Sequence, residues 1–163
     1  MPTLLSRAEA MERIRQERGE VRCLMCGLVE RRIGVVYTLF EDNDHSVLLP
    51  RYVRRWGQIT VVPKKHVTRF ADIDPALWAR TNELAFRAAR AIEQARSPLR
   101  TLVASTGSCA GELLNSSEHL HIHAVPMYTP DDRPADIFSW QGGVYVGEPH
   151  EWNELLGAYR AVF

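Results

Sequence analysis

The chain has 163 residues, of which 45% are hydrophobic and 25% are charged. These values are ordinary for a globular protein, and the length predicts one domain. Its 20 Lys and Arg residues balance its 20 Asp and Glu residues, which excludes a polybasic protein that coats nucleic acid polymers. No stretch approaches the ~20 apolar residues of a membrane span, and the N-terminus lacks the apolar core of a signal peptide. We therefore expect a cytoplasmic protein with no membrane partner.

The N-terminal part of the chain predicts a short helix followed by a cysteine pair and three strands. Ser6 is a suitable N-cap, Glu9 follows it at capping-box spacing, and Gly19 can end the helix at Arg18. Cys23 and Cys26 come next, and we expect a knuckle or turn there. Branched and aromatic residues then predict three strands, which are Val35–Phe40, Ser46–Leu49 and Gln58–Val62.

The longest predicted element is a helix from Pro75 to Arg96. Asp74 can cap it, Pro75 suits its first position, and Pro98 lies just beyond its end. One apolar stripe runs along it at helical spacing, and we expect this stripe to pack in the core. Two further strands and a final helix follow the long helix, which are Thr101–Ser105, His119–Val125 and a helix from Pro149.

This order of elements predicts an α+β fold with a mainly antiparallel sheet of about five strands, one long helix and a short N-terminal helix. We divide the chain into an N-terminal helical extension over residues 1–20 and a main domain over residues 21–127. Residues 128–163 are too few for an independent domain, so we expect a C-terminal tail packed on the same domain.

Three histidines alternate with apolar residues in the last predicted strand. Side chains alternate across a strand, so His119, His121 and His123 should share one face at intervals of about 7 Å. Such a row suits either a multi-histidine metal site or a nucleophilic histidine with orienting neighbours. A metal-dependent hydrolase with all three as ligands is the weaker of these hypotheses, because the row spans about 13 Å.

Cys23 and Cys26 have the two-residue gap that lets both thiolates bind one tetrahedral zinc ion. A redox pair of the thioredoxin type is a second interpretation, weakened by the lack of an obvious strand before the pair and helix after it. Two unligated buried cysteines are the third. The residues by themselves leave all three open.

The segment His119–Val125 resembles the His-φ-His-φ-His-φ-φ signature of the histidine triad family, in which φ is apolar. Upstream, the strand from Gln58 ends in Pro-Lys-Lys-His at His66, which is similar to the corresponding strand of that family. The resemblance covers residues 23–126 and implies a HIT-like fold.

The resemblance also implies the chemistry. A histidine triad enzyme hydrolyses or transfers a nucleotidyl group of a nucleotide, such as a dinucleoside polyphosphate or a nucleoside phosphoramidate. The middle histidine attacks the α-phosphate, which makes His121 the expected nucleophile, with His119 and His123 as the other catalytic members. Asn115 and Ser116 match the positions where the family places polar side chains on the phosphate.

For partners and cofactors, the resemblance implies a small-molecule nucleotide, a homodimer and, in the zinc-containing type, one structural Zn²⁺. Its ligands would be Cys23, Cys26, His66 and His119. Two positions depart from the family pattern, since Gln58 stands where a histidine is usual and Pro50 stands where an acidic residue usually contacts the ribose. The alternative function is therefore a non-catalytic nucleotide-binding or scaffold protein that keeps the structural zinc.

The loop between the second and third predicted strands carries three arginines. Arg51, Arg54 and Arg55 could reach the distal phosphates of a nucleotide. A solvated loop explains the same residues equally well. The sequence leaves these two interpretations open.

Overall fold

The computed structural model describes residues 1–107 and 118–163. In chain order, the helices and strands are β1 (Thr3–Leu5), α1 (Arg7–Arg18), α2 (Leu24–Val29), β2 (Tyr37–Glu41), β3 (His45–Leu49), β4 (Ile59–Pro63), α3 (Pro75–Arg96), β5 (Arg100–Ala104), β6 (Ile122–Met127), α4 (Pro134–Ser139), β7 (Val144–Val146) and α5 (Pro149–Arg160).

The main sheet has five strands in the order β2-β3-β4-β6-β5, and all neighbouring strands are antiparallel. Every residue of β3, β4 and β6 is buried, because these central strands are covered on both faces. The predicted α+β class with about five antiparallel strands and one long helix is therefore confirmed.

Helix α3 covers the sheet and has the predicted bounds. The Asp74 carboxylate accepts hydrogen bonds from the backbone N–H groups of Ala76 and Leu77 at 2.7 and 3.1 Å, and Ser97 ends the helix in a left-handed conformation. The apolar stripe faces the sheet, with Ala88, Ala91 and others fully buried. Because these alanines pack against the chain's own sheet, they are not available to a second copy of the chain.

The N-terminal helix also begins and ends as predicted. Ser6 and Glu9 form a reciprocal capping box, and Gly19 follows the last turn of α1. Nothing in the residue pattern indicates β1, which pairs with β7 near the other end of the chain. Strands of three residues carry too little periodicity to be recognised, and their pairing partner is distant in sequence.

The C-terminal helix α5 begins at the predicted Pro149 and packs into the core of the main sheet through Trp152 and Tyr159. The Tyr159 hydroxyl donates a hydrogen bond of 2.6 Å to the backbone oxygen of Gly57. Gly57 has φ 101°, and a Cβ there would lie 2.7 Å from that hydroxyl oxygen. A glycine is therefore required at this point, and the turn it makes directs the next residue, Gln58, into the interior.

Two predictions are wrong in detail. Cys23 does not open a knuckle or turn but caps α2, its sulfur accepting from the N–H of Cys26. The histidine strand begins at Ile122 and not at His119.

In the described ranges, no helix has the length and apolar character to cross a membrane.

Candidate functional site

Four side chains that are distant in sequence converge at the start of α2. Cys26 Sγ lies 3.3 Å from His66 Nδ1 and 3.4 Å from His119 Nδ1, and Cys23 Sγ lies 3.5 Å from the same His119 atom. The four candidate ligand atoms all lie within 4.8 Å of one another. Tetrahedral zinc with bonds of about 2.0–2.3 Å requires ligand atoms roughly 3.3–3.8 Å apart. The cluster has the size and donor set to hold one metal ion.

The hydrogen bonding of His119 fixes which nitrogen faces the cluster. Its Nε2–H donates to the backbone oxygen of Pro63 at 2.8 Å, so its Nδ1 presents a lone pair to the two sulfurs. Metal-bound histidines usually have such a partner on the other nitrogen. The strand end at Pro63 thus orients His119 Nδ1 towards the two cysteine sulfurs.

The two thiols have opposite acidities. Burial tends to raise the pKa of Cys23, but hydrogen bonds with His119 and Cys26 outweigh it and lower that pKa to about 6. Burial and the neighbouring Cys23 raise the pKa of Cys26 to about 12. The Cys23 thiol ionises readily, and its negative charge then opposes ionisation of Cys26, as expected where two thiols lie close together.

A helix does open at the cysteine pair, contrary to our argument against a thioredoxin-type motif. The pair nevertheless faces His66 and His119 and not an open surface, because His119 contacts both sulfurs. The helix positions the sulfurs by capping, since the Cys26 N–H donates to Cys23 Sγ at 3.4 Å.

His121 and His123 form a contact pair and are not spaced 7 Å apart. Their ring centroids are 4.6 Å apart at an interplanar angle of 84°, and their Nε2 atoms are 3.1 Å apart. The predicted spacing fails because His121 precedes β6, where the chain has not yet become a regular strand. The two rings therefore meet at their Nε2 atoms.

Their hydrogen bonds define the tautomers. His121 Nδ1–H donates to the backbone oxygen of His119 at 2.6 Å, which leaves its Nε2 with a lone pair. His123 Nδ1 lies 3.2 Å from Gln58 Nε2 and 3.1 Å from Thr60 Oγ1, both of which can donate to it. His123 then carries its proton on Nε2 and donates to His121 Nε2.

Both histidines are held neutral. Burial lowers the pKa of His121 to about 4; the backbone oxygen of His119 opposes this shift, and the positive charge of Arg54 adds to it. Burial and then Arg54 also hold the pKa of His123 well below its usual range. A neutral imidazole with a free Nε2 is the form that can attack an electrophile.

The pair lines a pocket whose wall contains both polar and apolar side chains. The polar part is formed by Arg54, Gln58, Thr60, His121 and His123. Side chains of α1, α2, β3 and the loops beside them form the apolar part, which includes Ile14, Leu24, Met25, Leu28, Ile33, Leu48 and Pro50. Glu17, Arg51, Tyr52 and Trp140 complete the wall. A pocket of this composition suits a ligand with a flat apolar body and a polar end.

The three arginines of the β3–β4 loop differ in their partners. Arg51 Nη1 contacts the Glu17 carboxylate at 3.2 Å, and Arg55 contacts the buried Asp132 carboxylate at 2.9 and 2.6 Å. In the part of the chain that the structure describes, no carboxylate pairs with Arg54. Neither a phosphate-binding loop nor a solvated loop describes all three, since Arg51 and Arg55 pair with carboxylates of the protein, whereas Arg54 lines the pocket with no such partner among the described residues.

Sequence reasoning found the histidines and cysteines but missed several residues of the pocket. Ile14 and Glu17 come from the N-terminal helix, and Trp140 lies near the end of the chain, so no motif joins them to the triad. Gln58 departs from the family pattern, and only the fold shows that it contacts His123. The predicted phosphate-binding residues Asn115 and Ser116 lie outside the described residues, so their role stays a prediction.

A five-stranded antiparallel sheet that carries a His-x-His-x-His segment next to a Cys₂His₂ cluster defines a protein of the histidine triad class. The family model described as "HIT domain" matches residues 37–129, which is more than half of the chain. The chain belongs to the HIT domain family.

Solved structures share this fold. A hypothetical histidine triad nucleotide-binding protein from Sulfolobus tokodaii aligns with 23% identity and a TM-score of 0.67 over 86% of this chain and 91% of its own. A Zn-bound histidine triad family protein from Mycobacterium smegmatis has 21% identity, a TM-score of 0.66, and coverage of 88% and 94%. A Hit-like protein from Bartonella henselae has 18% identity, a TM-score of 0.68, and coverage of 89% and 98%. No curated protein matches the chain significantly.

Proposed function

We propose that this protein is a nucleotidyl hydrolase or transferase in which His121 is the nucleophile. The observation that carries the proposal is the pattern of hydrogen bonds that fixes the tautomers. The His119 backbone oxygen accepts from His121 Nδ1–H, so His121 Nε2 carries a lone pair, which accepts from His123 Nε2–H at 3.1 Å. This arrangement gives a buried, neutral imidazole whose reactive nitrogen opens into a pocket.

In the proposed reaction, His121 Nε2 forms a bond to the α-phosphorus of a nucleotide while the bond from phosphorus to the leaving group breaks. His123 Nε2–H, no longer bonded to His121, can then donate a hydrogen bond to a phosphate oxygen or to the departing atom, which takes its proton from solvent. In the second step, water or another acceptor attacks the phosphorus, the P–N bond breaks with its electron pair returning to Nε2 of a neutral His121, and the proton of the acceptor passes to solvent.

The pocket supports a nucleoside phosphate as the substrate class. Its apolar part, lined by Met25, Leu28 and Ile33, suits a base, and the histidine pair at its other end suits a phosphate. Pro50 also lines the pocket, where relatives are expected to present a carboxylate to the ribose. Glu17 supplies a carboxylate to the same wall from α1, so a ribose contact can come from a different element.

We also propose that the Cys23, Cys26, His66 and His119 cluster binds zinc as a closed structural site. Two thiolates and two imidazoles are a donor set that zinc favours, and all four positions are filled by protein. Bound zinc would neutralise the converging thiolates and join α2 to the histidine segment, with no step of the reaction occurring on it. Metal analysis of the purified protein should give about one zinc per chain; a value far below one would contradict the proposal.

A homodimer is the proposed assembly. The alanine stripe of α3 is buried and contributes nothing to it, but Phe86 on α3 and Val103 on the outer strand β5 are exposed at 61% and 45%. Apolar side chains along a helix and a sheet edge favour association with a second copy. Light scattering should give twice the chain mass, and Val103→Glu should shift it towards the monomer; a monomeric wild type would contradict the proposal.

The catalytic proposal is tested by trapping the covalent intermediate. Wild-type protein is mixed with adenosine phosphoramidate or diadenosine tetraphosphate, quenched, digested and examined by mass spectrometry. We expect a nucleotidyl group on His121, and none in His121→Asn. Tight nucleotide binding without turnover or adduct across a panel of bases would favour the non-catalytic alternative.

A further inference from the structure

Arg54 is a partly buried cation that has no counter-charge among the described residues. Its Nε is inaccessible and has no hydrogen-bond partner, and within residues 1–107 and 118–163 it has no ion pair. Its only side-chain interactions there are with aromatic rings, since Cζ lies 5.1 Å from the Phe138 ring and 5.7 Å from the Trp140 ring.

The aromatic contacts do not account for the burial of this charge. A cation–π contact stabilises a guanidinium only weakly, whereas removing an unpaired ion from water costs considerably more free energy. Burial lowers the pKa of Arg54 to about 10, so the guanidinium is still charged at neutral pH. A cation retained at such a cost without a partner in residues 1–107 and 118–163 points to a bound anion.

The neighbouring residue, Arg55, is a cation of the same loop that does have a carboxylate partner. Arg55 is held by two hydrogen bonds to the buried Asp132 carboxylate, which also accepts from the backbone N–H groups of Tyr128 and Thr129. Arg54 has no equivalent among the described residues. The difference lies between consecutive residues of one loop, so it does not result from the loop's general environment.

Arg54 lies in the part of the pocket wall that also contains the two histidines. Its backbone N–H donates to Gln58 Oε1 at 3.1 Å, and Gln58 Nε2 contacts His123 Nδ1 at 3.2 Å. Arg54 lines the same pocket as His121 and His123, and its charge lowers the pKa of both histidines. An anion placed between the guanidinium and His121 would supply the missing counter-charge.

We propose that the Arg54 guanidinium binds the phosphate group of the substrate next to His121 and selects phosphorylated over neutral ligands. The assignment deepens the proposed function and rests on it for the identity of the anion. Guanidinium is suited to this task, because its N–H groups bind phosphate oxygens in pairs and its charge is permanent. The same charge would stabilise the oxygens of the phosphorus centre during attack.

The test compares ligand pairs that differ only in the phosphate. Calorimetry at constant ionic strength measures binding of the four common nucleosides and their 5′-monophosphates to wild type, Arg54→Gln and Arg54→Lys. For the monophosphate that binds best, we expect Arg54→Gln to weaken binding by about 10- to 100-fold. Binding of the matching nucleoside should not change, and Arg54→Lys should recover part of the loss.

Matched controls separate this role from a structural one. Arg69→Gln removes an exposed arginine whose ion pair within the described residues is with Asp72, and it should leave binding of both ligands unchanged. Thermal unfolding of every variant shows whether the fold is retained, and Arg54→Lys serves if Arg54→Gln does not fold. Unchanged monophosphate binding in Arg54→Gln would overturn the inference, and so would an equal loss for nucleoside and monophosphate.

The outcome is separable from that of the proposed function. If wild type binds the monophosphate through Arg54 but forms no His121 adduct, the phosphate site stands and the enzymatic proposal fails. If His121 forms the adduct and Arg54→Gln binds the monophosphate as wild type does, the enzymatic proposal stands and the role of Arg54 fails. Absence of monophosphate binding in wild type would overturn the role of Arg54.

Discussion

The two ends of the segment from His119 to His123 lie in sites of opposite character. At His119, four donor atoms from three regions of the chain point at one another within 4.8 Å. At His121 and His123, the polar groups point into a pocket, and the inaccessible Nε of Arg54 lacks a partner in the described part of the chain. Converging donor atoms are what a site for one metal ion requires, whereas polar groups without a partner are typical of a pocket that binds a ligand.

Replacing His121, the proposed nucleophile, should have the largest effect on turnover. This change tests the site that contains His121 and His123. His121→Ala removes the free Nε2, so we expect turnover of a nucleoside phosphoramidate to fall by at least about 1,000-fold. Zinc content and thermal stability should change little, because His121 contacts the backbone oxygen of His119 and not one of the four candidate ligand atoms. Steady-state kinetics and metal analysis on one preparation check both statements, and equal turnover in the two proteins would exclude His121 as nucleophile.

Removing a cluster ligand should give the reverse pattern. Cys26→Ser withdraws one thiolate, so we expect loss of most bound zinc and a fall in Tm on the order of 10 °C. Activity should fall only as far as the folded fraction falls, because no reaction step uses the metal. Calorimetric scans with and without added zinc measure this; a stable, zinc-free and fully active variant would show that the cluster is not a structural metal site.

Breaking the ion pair between Arg55 and Asp132 should have a smaller effect, which is a loss in the free energy of unfolding. The size of this loss should depend on pH. Burial opposes ionisation of Asp132, but Arg55 and two backbone N–H groups outweigh it and lower its pKa. Asp132→Asn should therefore cost about 2 kcal/mol at neutral pH. This difference should be complete above the ordinary Asp pKa of about 3.9 and should vanish as the pH falls through the lowered folded value. Urea unfolding across pH tests it; a pH-independent difference would contradict the ion pair.

Gln58 should give the smallest effect and sharpens the description of the pocket. Gln58→His restores the residue that the family resemblance leads one to expect, and a histidine there can still hydrogen-bond His123. We expect turnover within about threefold of wild type, whereas Gln58→Ala should lower it by about tenfold because His123 loses a partner. Equal turnover in all three proteins would show that Gln58 does not position His123.

Local signals in the sequence predicted most of the fold. The ends of α1 and α3 follow from Ser6, Gly19, Asp74 and Pro75, because capping depends on atoms within a few residues. The β1–β7 pair was missed, because nothing in three residues indicates a partner near the opposite end of the chain. The histidine strand was misplaced, because alternation in the sequence does not show where regular β geometry begins.

The sequence by itself determined which chemical groups the protein has: the Cys₂His₂ donors, the histidine segment, and the resemblance that connects them to the HIT family. Tertiary structure decided what each group does. It turned His119 towards the cysteines and brought His121 into contact with His123. It also gave Arg55 a carboxylate, while Arg54 has none in the described part of the chain. The physical reason is that a charge or a lone pair acquires its role from the atoms within a few ångströms, and those atoms come from distant parts of the chain.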